Sequence, residues 1–273
     1  MKNTYLLYLK VYKNALLTLN AYKLNTITKI IYSLLLFCIQ IYIWKSVYTN
    51  REAFHTEYGN IDLNDMIVYV FLSSCISVFA NFEGSAVHRI GRKVITGEIA
   101  SDLIRPISLV GYLSAEYAGS STYRFFFNLI PVAGIGFFLF RIQFSFQFST
   151  LFLFLISIIN VSILYFLLTY CVGLLSFWYE KIGNLNILID SSITLFSGSV
   201  IPLWFFPQFF SALIEFSPFP YLYFFPISLA LGKLSIGDIY VGLFIQLFWI
   251  IAVYSLSKLI YKKGIKKLTI QGG

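Results

Sequence analysis

The sequence predicts an all-α integral membrane protein with six transmembrane helices, an N-terminal interfacial amphipathic helix and a re-entrant segment between the fifth and sixth spans. Three observations carry that reading. Of the 273 residues, 58% are hydrophobic and only 12% charged, a balance that soluble domains do not show. Apolar runs recur at the roughly 20-residue length that a hydrocarbon layer about 30 Å thick demands of a helix. Lysines and arginines fall in short segments between those runs and alternate in density from one connection to the next, as the positive-inside bias requires.

Residues 1–23 form the expected interfacial helix. Tyr5, Leu6, Tyr8, Leu9, Tyr12, Leu16 and Leu17 recur at helical spacing, interrupted by Lys10, Lys13 and Asn14, which suits a helix lying on the inner leaflet. Residues 24–273 form a single six-span transmembrane unit. Its spans are expected at about 24–44, 66–82, 123–140, 150–178, 185–203 and 239–260. The run from Ile107 to Phe140 is too long for one span and contains Glu116 and Arg124, so it divides into a membrane-adjacent helix and a third span bent by Pro131 and Gly134. The apolar run that begins near Ile30 is followed by no small-residue cleavage site, so the first span is expected to be retained.

Residues 202–226 are apolar but punctuated by Pro202, Pro207, Pro218, Pro220 and Pro226. No straight helix tolerates that spacing, and unpaired backbone is intolerable against lipid, so short broken helices packed on protein are expected there. Orientation follows from charge. With the N-terminus inside, the cytoplasmic side receives Lys2, Lys10, Lys13, Lys23, then Arg89, Arg92, Lys93 and Arg105, then Lys181, then Lys258, Lys262, Lys263, Lys266 and Lys267. The opposite side receives Lys45, Arg51, Arg141 and Lys233 and carries the acidic loop with Glu52, Glu57, Asp62 and Asp65. Both termini are therefore expected in the cytoplasm.

Several functions are excluded by what the chain lacks. The net charge of +8 is spread over inter-span segments rather than gathered into a patch, which argues against nucleic acid. The two histidines, His55 and His88, are expected on opposite faces, so they form no multi-histidine metal site, and neither has a serine and an acid arranged around it. Cys38, Cys75 and Cys171 lie inside apolar runs and read as small buried hydrophobes. Gly91-Arg92-Lys93 lacks the spacing of a phosphate-binding loop, so any ATP that drives this protein is hydrolysed on another polypeptide.

Two regions hold the remaining interest. Residues 83–106 make the longest cytoplasmic connection, with a basic first half and a short amphipathic helix at Gly97–Ile104 stopped before Pro106. Either a docking helix for a cytosolic partner or an ordinary connector fits it. Within the spans, ionisable residues are costly in lipid and mark either structural pairing or a wet pathway. Arg124 lies two turns from Glu116, Glu180 stands beside Lys181, and Asp190 faces either a partner such as Arg124 or a water-filled cavity. Ser73, Ser74, Ser77, Asn81, Ser191, Ser192, Ser197, Gly198 and Ser199 permit close helix packing or a partly wet wall.

With those residues laid out, the chain resembles a permease of the ATP-binding-cassette (ABC) superfamily, of the type-two export class and its daunorubicin- and viologen-exporter-like branch. The resemblance rests on Ile95–Ser108, on Ser197-Gly-Ser-Val-Ile-Pro-Leu-Trp-Phe-Phe-Pro207 and on Pro218-Phe-Pro-Tyr221. Pro226 with Gly232-Lys233, Gln246 with Trp249 and the basic tail ending in Gly272-Gly273 complete it. It spans nearly the whole chain. It implies a six-span half-transporter, non-enzymatic itself, that pairs with a second identical or related permease and with two cytosolic ATPase subunits holding ATP and magnesium.

By the same resemblance, residues 83–106 couple to the ATPase through Gly97, Glu98, Asp102, Arg105 and Pro106. The second and fifth spans line a shared cavity in the cell (cytoplasmic/inner) membrane, with Arg124, Asp190, Ser191 and Ser197 as candidate polar positions. Pro202, Trp204, Pro207, Pro218 and Pro220 belong to an outer lid, whose aromatic walls suit a hydrophobic or amphipathic cargo. A self-sufficient secondary transporter or channel, or a membrane scaffold, is the competing reading. Those transporters usually show matched broken helices in two halves, whereas this sequence breaks only after the fifth span.

Overall fold

Long apolar stretches satisfy their backbone polar groups internally only as helices, and helices dominate here. The structure, a computed structural model, describes residues 2–21, 23–80, 86–105, 107–140, 142, 148–179 and 183–267. Among the described residues, five helices are long and apolar enough to cross a membrane: Leu24–Val47, Leu63–Ala80, Leu109–Phe140, Thr150–Phe177 and Ile236–Gly264.

Helix α1 (Lys2–Asn20) precedes α2 (Lys23–Val47). It lies against α6 (Leu109–Arg124), where Gly111, Ala115 and Gly119 present a small-residue stripe four residues apart. At Gly119 a Cβ would stand 2.2 Å from the Tyr12 carbonyl oxygen, so the two backbones meet where only glycine fits. Tyr12 also donates to Thr122 Oγ1 at 3.0 Å. The amphipathic pattern of α1 thus serves a protein contact as well as an exposed face with Tyr5, Leu6, Leu9 and Leu17.

Where the sequence predicts only an acidic loop after the first span, the structure builds a hairpin. Strands β1 (Ala53–Thr56) and β2 (Gly59–Asp62) pair antiparallel in the register Ala53↔Asp62 to Thr56↔Gly59. Tyr48 donates to the Ile61 carbonyl, and Asp62 and Asp65 cap each other's backbone N–H groups at the start of α3 (Leu63–Ala80). After residues 81–85, Asn81 and Glu83 among them, which lie outside the described set, come α4 (Ala86–Ile95) and α5 (Ile99–Ile104).

The division expected within residues 107–140 is not present. Helix α6, a π turn at Phe125–Leu129 and α7 (Ile130–Phe140) continue as one 32-residue helix. The two charges that suggest a break are accommodated instead. Glu116 pairs with Arg89 of α4, and Arg124 is buried on backbone oxygen. The widened turn, with the Ile130 N–H reaching back to the Phe125 carbonyl, makes room for Pro131 one residue later. Helix α8 (Phe148–Gly173) runs into a 3₁₀ turn at Leu174–Phe177. Glu180, Lys181 and Arg141 lie outside the described residues.

Helix α9 (Gly183–Phe196) is only 14 residues long, about 21 Å, and stops short of the expected end at residue 203. Ser197–Ser199 form a turn in which Gly198 adopts φ +80°, with its carbonyl accepting from Tyr69 OH at 2.7 Å. The proline-rich stretch is broken as its spacing predicts: a 3₁₀ turn at Leu203–Phe205, α10 (Gln208–Glu215), a second 3₁₀ turn at Pro220–Leu222, and the buried α11 (Phe224–Ala230). Helix α12 (Ile236–Gly264) starts three residues earlier than expected because Ser235 and Asp238 form a reciprocal capping box. Helices α8 and α12 are joined by a buried polar knot. Gln246 Nε2 donates to Ser157 Oγ and to the Tyr221 carbonyl, and its Oε1 accepts from Asn160.

Candidate functional site

The segment between α3 and α6 is a bent pair of helices. Ala86, Val87, Ile90 and Gly91 bury one face of α4 against the end of α8, leaving Arg92 exposed. The chain turns at Gly97, φ +74°, into α5. Asp102 is only 5% exposed and receives Lys93 and Arg105, the latter at 3.3 Å. Both cations also lie over the Tyr112 ring of α6, at 4.6 and 5.1 Å. Asp102 is therefore the internal clamp of this segment rather than part of its free surface. Ile99 is buried as well, so the exposed edge is made by Arg92, Ile95, Glu98, Ser101, Ile104 and Arg105. Pro106 lies outside the described residues.

A cavity of about 450 Å³ opens between four elements. From α2 come Lys29, Tyr32, Ser33, Leu36 and Gln40; from α3, Ser73, Ser74, Ser77 and Val78. The π turn contributes Asn128, and α9 with the turn after it contributes Asp190, Thr194, Ser199 and Val200. Tyr223 closes one end and shares a hydrogen bond with Ser77 at 3.0 Å. Residues of α3 and α9, where the second and fifth spans are expected, thus share this cavity with α2 and the π turn.

The four candidate polar positions separate in space. Asp190 lines the cavity. Ser191 is exposed on a neighbouring face of α9 and does not line it, and Ser197 is fully buried in the turn, where its carbonyl accepts from the Phe224 N–H. Arg124 is 5% exposed and reaches the end of α3 instead: Nε donates to the Phe79 carbonyl at 3.1 Å, Nη2 to Ser121 Oγ at 2.9 Å, and the guanidinium lies over Tyr117. Carbonyls at a helix end have no intrahelical partner, and Arg124 satisfies one of them. Asp190 and Arg124 are not paired. Asp190 Oδ2 accepts from Asn186 Nδ2 at 3.0 Å, and the same amide nitrogen lies 2.9 Å from His88 Nε2. Asn186 thereby bridges α4 to the cavity wall.

At the hairpin face, Trp204 is the centre of an aromatic cluster with Tyr58, Tyr69, Phe205 and Phe224, at ring distances of 5.1 to 6.3 Å. Phe205 stacks on Trp44. Lys233 pins the loop before α12 to the hairpin through Asp65 at 2.6 Å and the Asn60 carbonyl at 2.9 Å. Pro202 and Pro207 precede the 3₁₀ turn and α10, Pro218 is partly buried and Pro220 opens the second 3₁₀ turn. Burial first, and then Glu215 and Glu57, push the Tyr58 hydroxyl up to about 12. Burial and Glu57 likewise raise the Glu215 carboxyl.

Sequence reasoning does not single out Asn128, Asn186 or His88 as parts of this site. No motif marks them, and their roles depend on the π turn and on how α4 meets α9.

A bundle of long apolar helices around a polar-walled cavity, with a charged helical pair at one end, defines a multi-pass membrane transport component. Residues 34–272 match the family of ABC-2 family transporter proteins, and the chain belongs to that family. It is accordingly a permease subunit of an ABC transporter, a membrane component of the kind that partners with ABC ATPase subunits. No curated protein matches the chain.

Proposed function

We propose that this chain is half of the translocation path of an ATP-driven exporter for a hydrophobic or amphipathic cargo, paired with a second permease. The single observation that carries the reading is the contact between α4 and the cavity wall. His88 meets Asn186, and Asn186 holds Asp190 at the cavity surface. A cytosolic subunit that moves α4 and α5 therefore acts on the cavity through one side chain, the geometry that ATP-driven switching of access needs. The exposed edge with Ile95, Glu98, Ile104 and Arg105 is the docking surface, held in shape by Asp102, and Gly97 supplies its turn. ATP and magnesium are bound by the partner.

In this reading the chain crosses the cell membrane six times, with α9 and the turn after it making the fifth pass, and both termini are cytoplasmic. The lysine and arginine distribution supports that orientation. Residues 202–226 form a re-entrant cap on the outer side, in which Pro202, Trp204, Pro207, Pro218 and Pro220 shape the lid over the cavity. Arg124 and Ser197 serve packing and turn formation, and Asp190 serves the path.

Gentle purification with associated proteins, followed by an ATPase assay, tests this. A stoichiometric cytosolic ATPase whose activity depends on this chain is expected. A monodisperse chain that catalyses ion-coupled flux alone would overturn the exporter reading in favour of a secondary transporter.

A further inference from the structure

The tie between α4 and the cavity wall passes through a single atom, which fixes where protons can sit. Asn186 Nδ2 lies 2.9 Å from His88 Nε2 and 3.0 Å from Asp190 Oδ2. An amide nitrogen only donates, so both contacts are hydrogen bonds only while His88 Nε2 and Asp190 Oδ2 each offer a lone pair. The His88 ring in this arrangement is therefore neutral, with its proton on Nδ1. Turning the amide over does not relax the condition. Its oxygen in the same place needs a proton from both partners, so a proton added to His88 Nε2 alone breaks one contact in either orientation. His88 is exposed and Asn186 is buried, so a charged ring finds water while the Asn186–Asp190 bond stays in place. The contact that yields is the one to His88.

We propose that His88 and Asn186 form a proton-controlled latch. With His88 neutral the latch ties α4 to α9 beside Asp190, and protonation of His88 opens it. Opening is local, because Ala86, Val87, Ile90 and Gly91 keep α4 packed on α8. Among the described residues, the other ionisable groups brought to α4 are these. From α5 comes Asp102, held by Lys93 and Arg105, and from α6 comes Glu116, held by Arg89. Helix α8 and its 3₁₀ turn carry no charged side chain, only Tyr165, Tyr170 and Cys171. Arg92 on α4 itself is exposed, and Lys29 of α2 lines the cavity with Asp190. The latch is a regulator of the coupling route proposed above and rests on that route for its effect on transport.

Nitrogen-15 NMR of the ring reads the latch in the full chain in nanodiscs, with neither ATP nor ATPase present. The chain has two histidines, so His55→Gln leaves a single ring. At about pH 8 its signal should be that of a neutral imidazole protonated on Nδ1. Asn186→Leu should move it to the Nε2-protonated form that free histidine favours, and Asn186→Ala serves if the leucine variant does not fold. Opening is read as the distance between spin labels at Arg92→Cys on α4 and Ser191→Cys on α9, both exposed positions, with Cys38, Cys75 and Cys171 replaced by alanine. That distance should lengthen between about pH 8 and about pH 5. In His88→Ala it should be long at both and independent of pH. A neutral ring protonated on Nε2, a ring signal unaltered by the Asn186 variants, or a label distance that ignores pH overturns the proposal. A distance that shortens on acidification, as direct pairing of a charged His88 with Asp190 would give, overturns it as well. Neither readout needs an ATPase, so failure of the exporter reading leaves both valid. A co-purifying ATPase on a chain whose label distance ignores pH leaves that reading standing without the latch.

Discussion

The two ends of the bundle are held together by different balances of apolar packing and charge. The hairpin face is welded by rings: Trp204 meets Tyr58, Tyr69, Phe205 and Phe224, and Trp44 stacks on Phe205, with one ion pair, Lys233–Asp65, at the margin. The α4–α5 end buries an apolar face of α4 on α8 and adds ion pairs, Asp102 with Lys93 and Arg105 and Glu116 with Arg89. Close ring packing tolerates no cavity, and aromatic pairs prefer particular geometries, so the cluster makes a rigid cap. Ion pairs between elements have discrete alternatives, and a segment built on them is suited to shift as a unit when a partner binds. In the exporter reading, stiffness belongs at the cap and adjustability at the coupling end.

The largest stability effect should come from breaking the cap. Trp204→Ala removes the shared ring of the cluster and should cost about 3 kcal/mol, read as a lowered unfolding midpoint in detergent. An effect smaller than that of any coupling-end substitution would reverse the comparison. Asp102→Ala comes next. It strands Lys93 and Arg105 and should cost about 2 kcal/mol, reduced from the fully buried case because Arg105 is largely exposed. Its larger signature should be functional, a fall in permease-dependent ATPase turnover with the complex still assembled. Intact coupling in that variant would show that the clamp is only structural.

The smallest effect concerns pH at the cap. Glu215 has its carboxyl raised by burial and by Glu57, so its contribution to stability is fully present below the ordinary glutamate range and is lost as pH rises through the raised value. The hairpin face should therefore tighten slightly on acidification. Glu215→Gln should remove that dependence, measured as protease resistance of residues 48–62 across pH. The effect is small because Glu215 remains largely solvated.

Several elements are legible in the sequence alone. The apolar lengths of α2, α3, α8 and α12 fall within a few residues of their expected limits, because a run of 20 or more apolar residues has few alternatives to a helix. The proline spacing of residues 202–226 foretells short broken helices because each proline removes a donor and clashes with the preceding turn. The hairpin at Ala53–Asp62 is not legible in this way. Its polar, four-residue strands carry little β signal of their own and are held by Tyr48, Lys233 and the aromatic cap. The uninterrupted Leu109–Phe140 helix escapes sequence reasoning because a charge at membrane depth looks prohibitive until its partners, here Arg89 and the Phe79 carbonyl, are known.

Composition, run length and charge placement by themselves determined that this is a helical membrane protein with an amphipathic N-terminal helix and a proline-broken segment before its last span. They determine this because hydrophobic length and the cost of unpaired backbone in lipid are properties of the chain, independent of its neighbours. Which polar residues share a cavity was decided only by tertiary structure. Asp190 shares its cavity with Asn128 rather than Arg124, and the π turn contributes to that outcome by adding a residue to one helical turn, which offsets the side chains on either side of it by about 100°. The contact of α4 with α9 arises from packing between distant segments, and no local pattern encodes it.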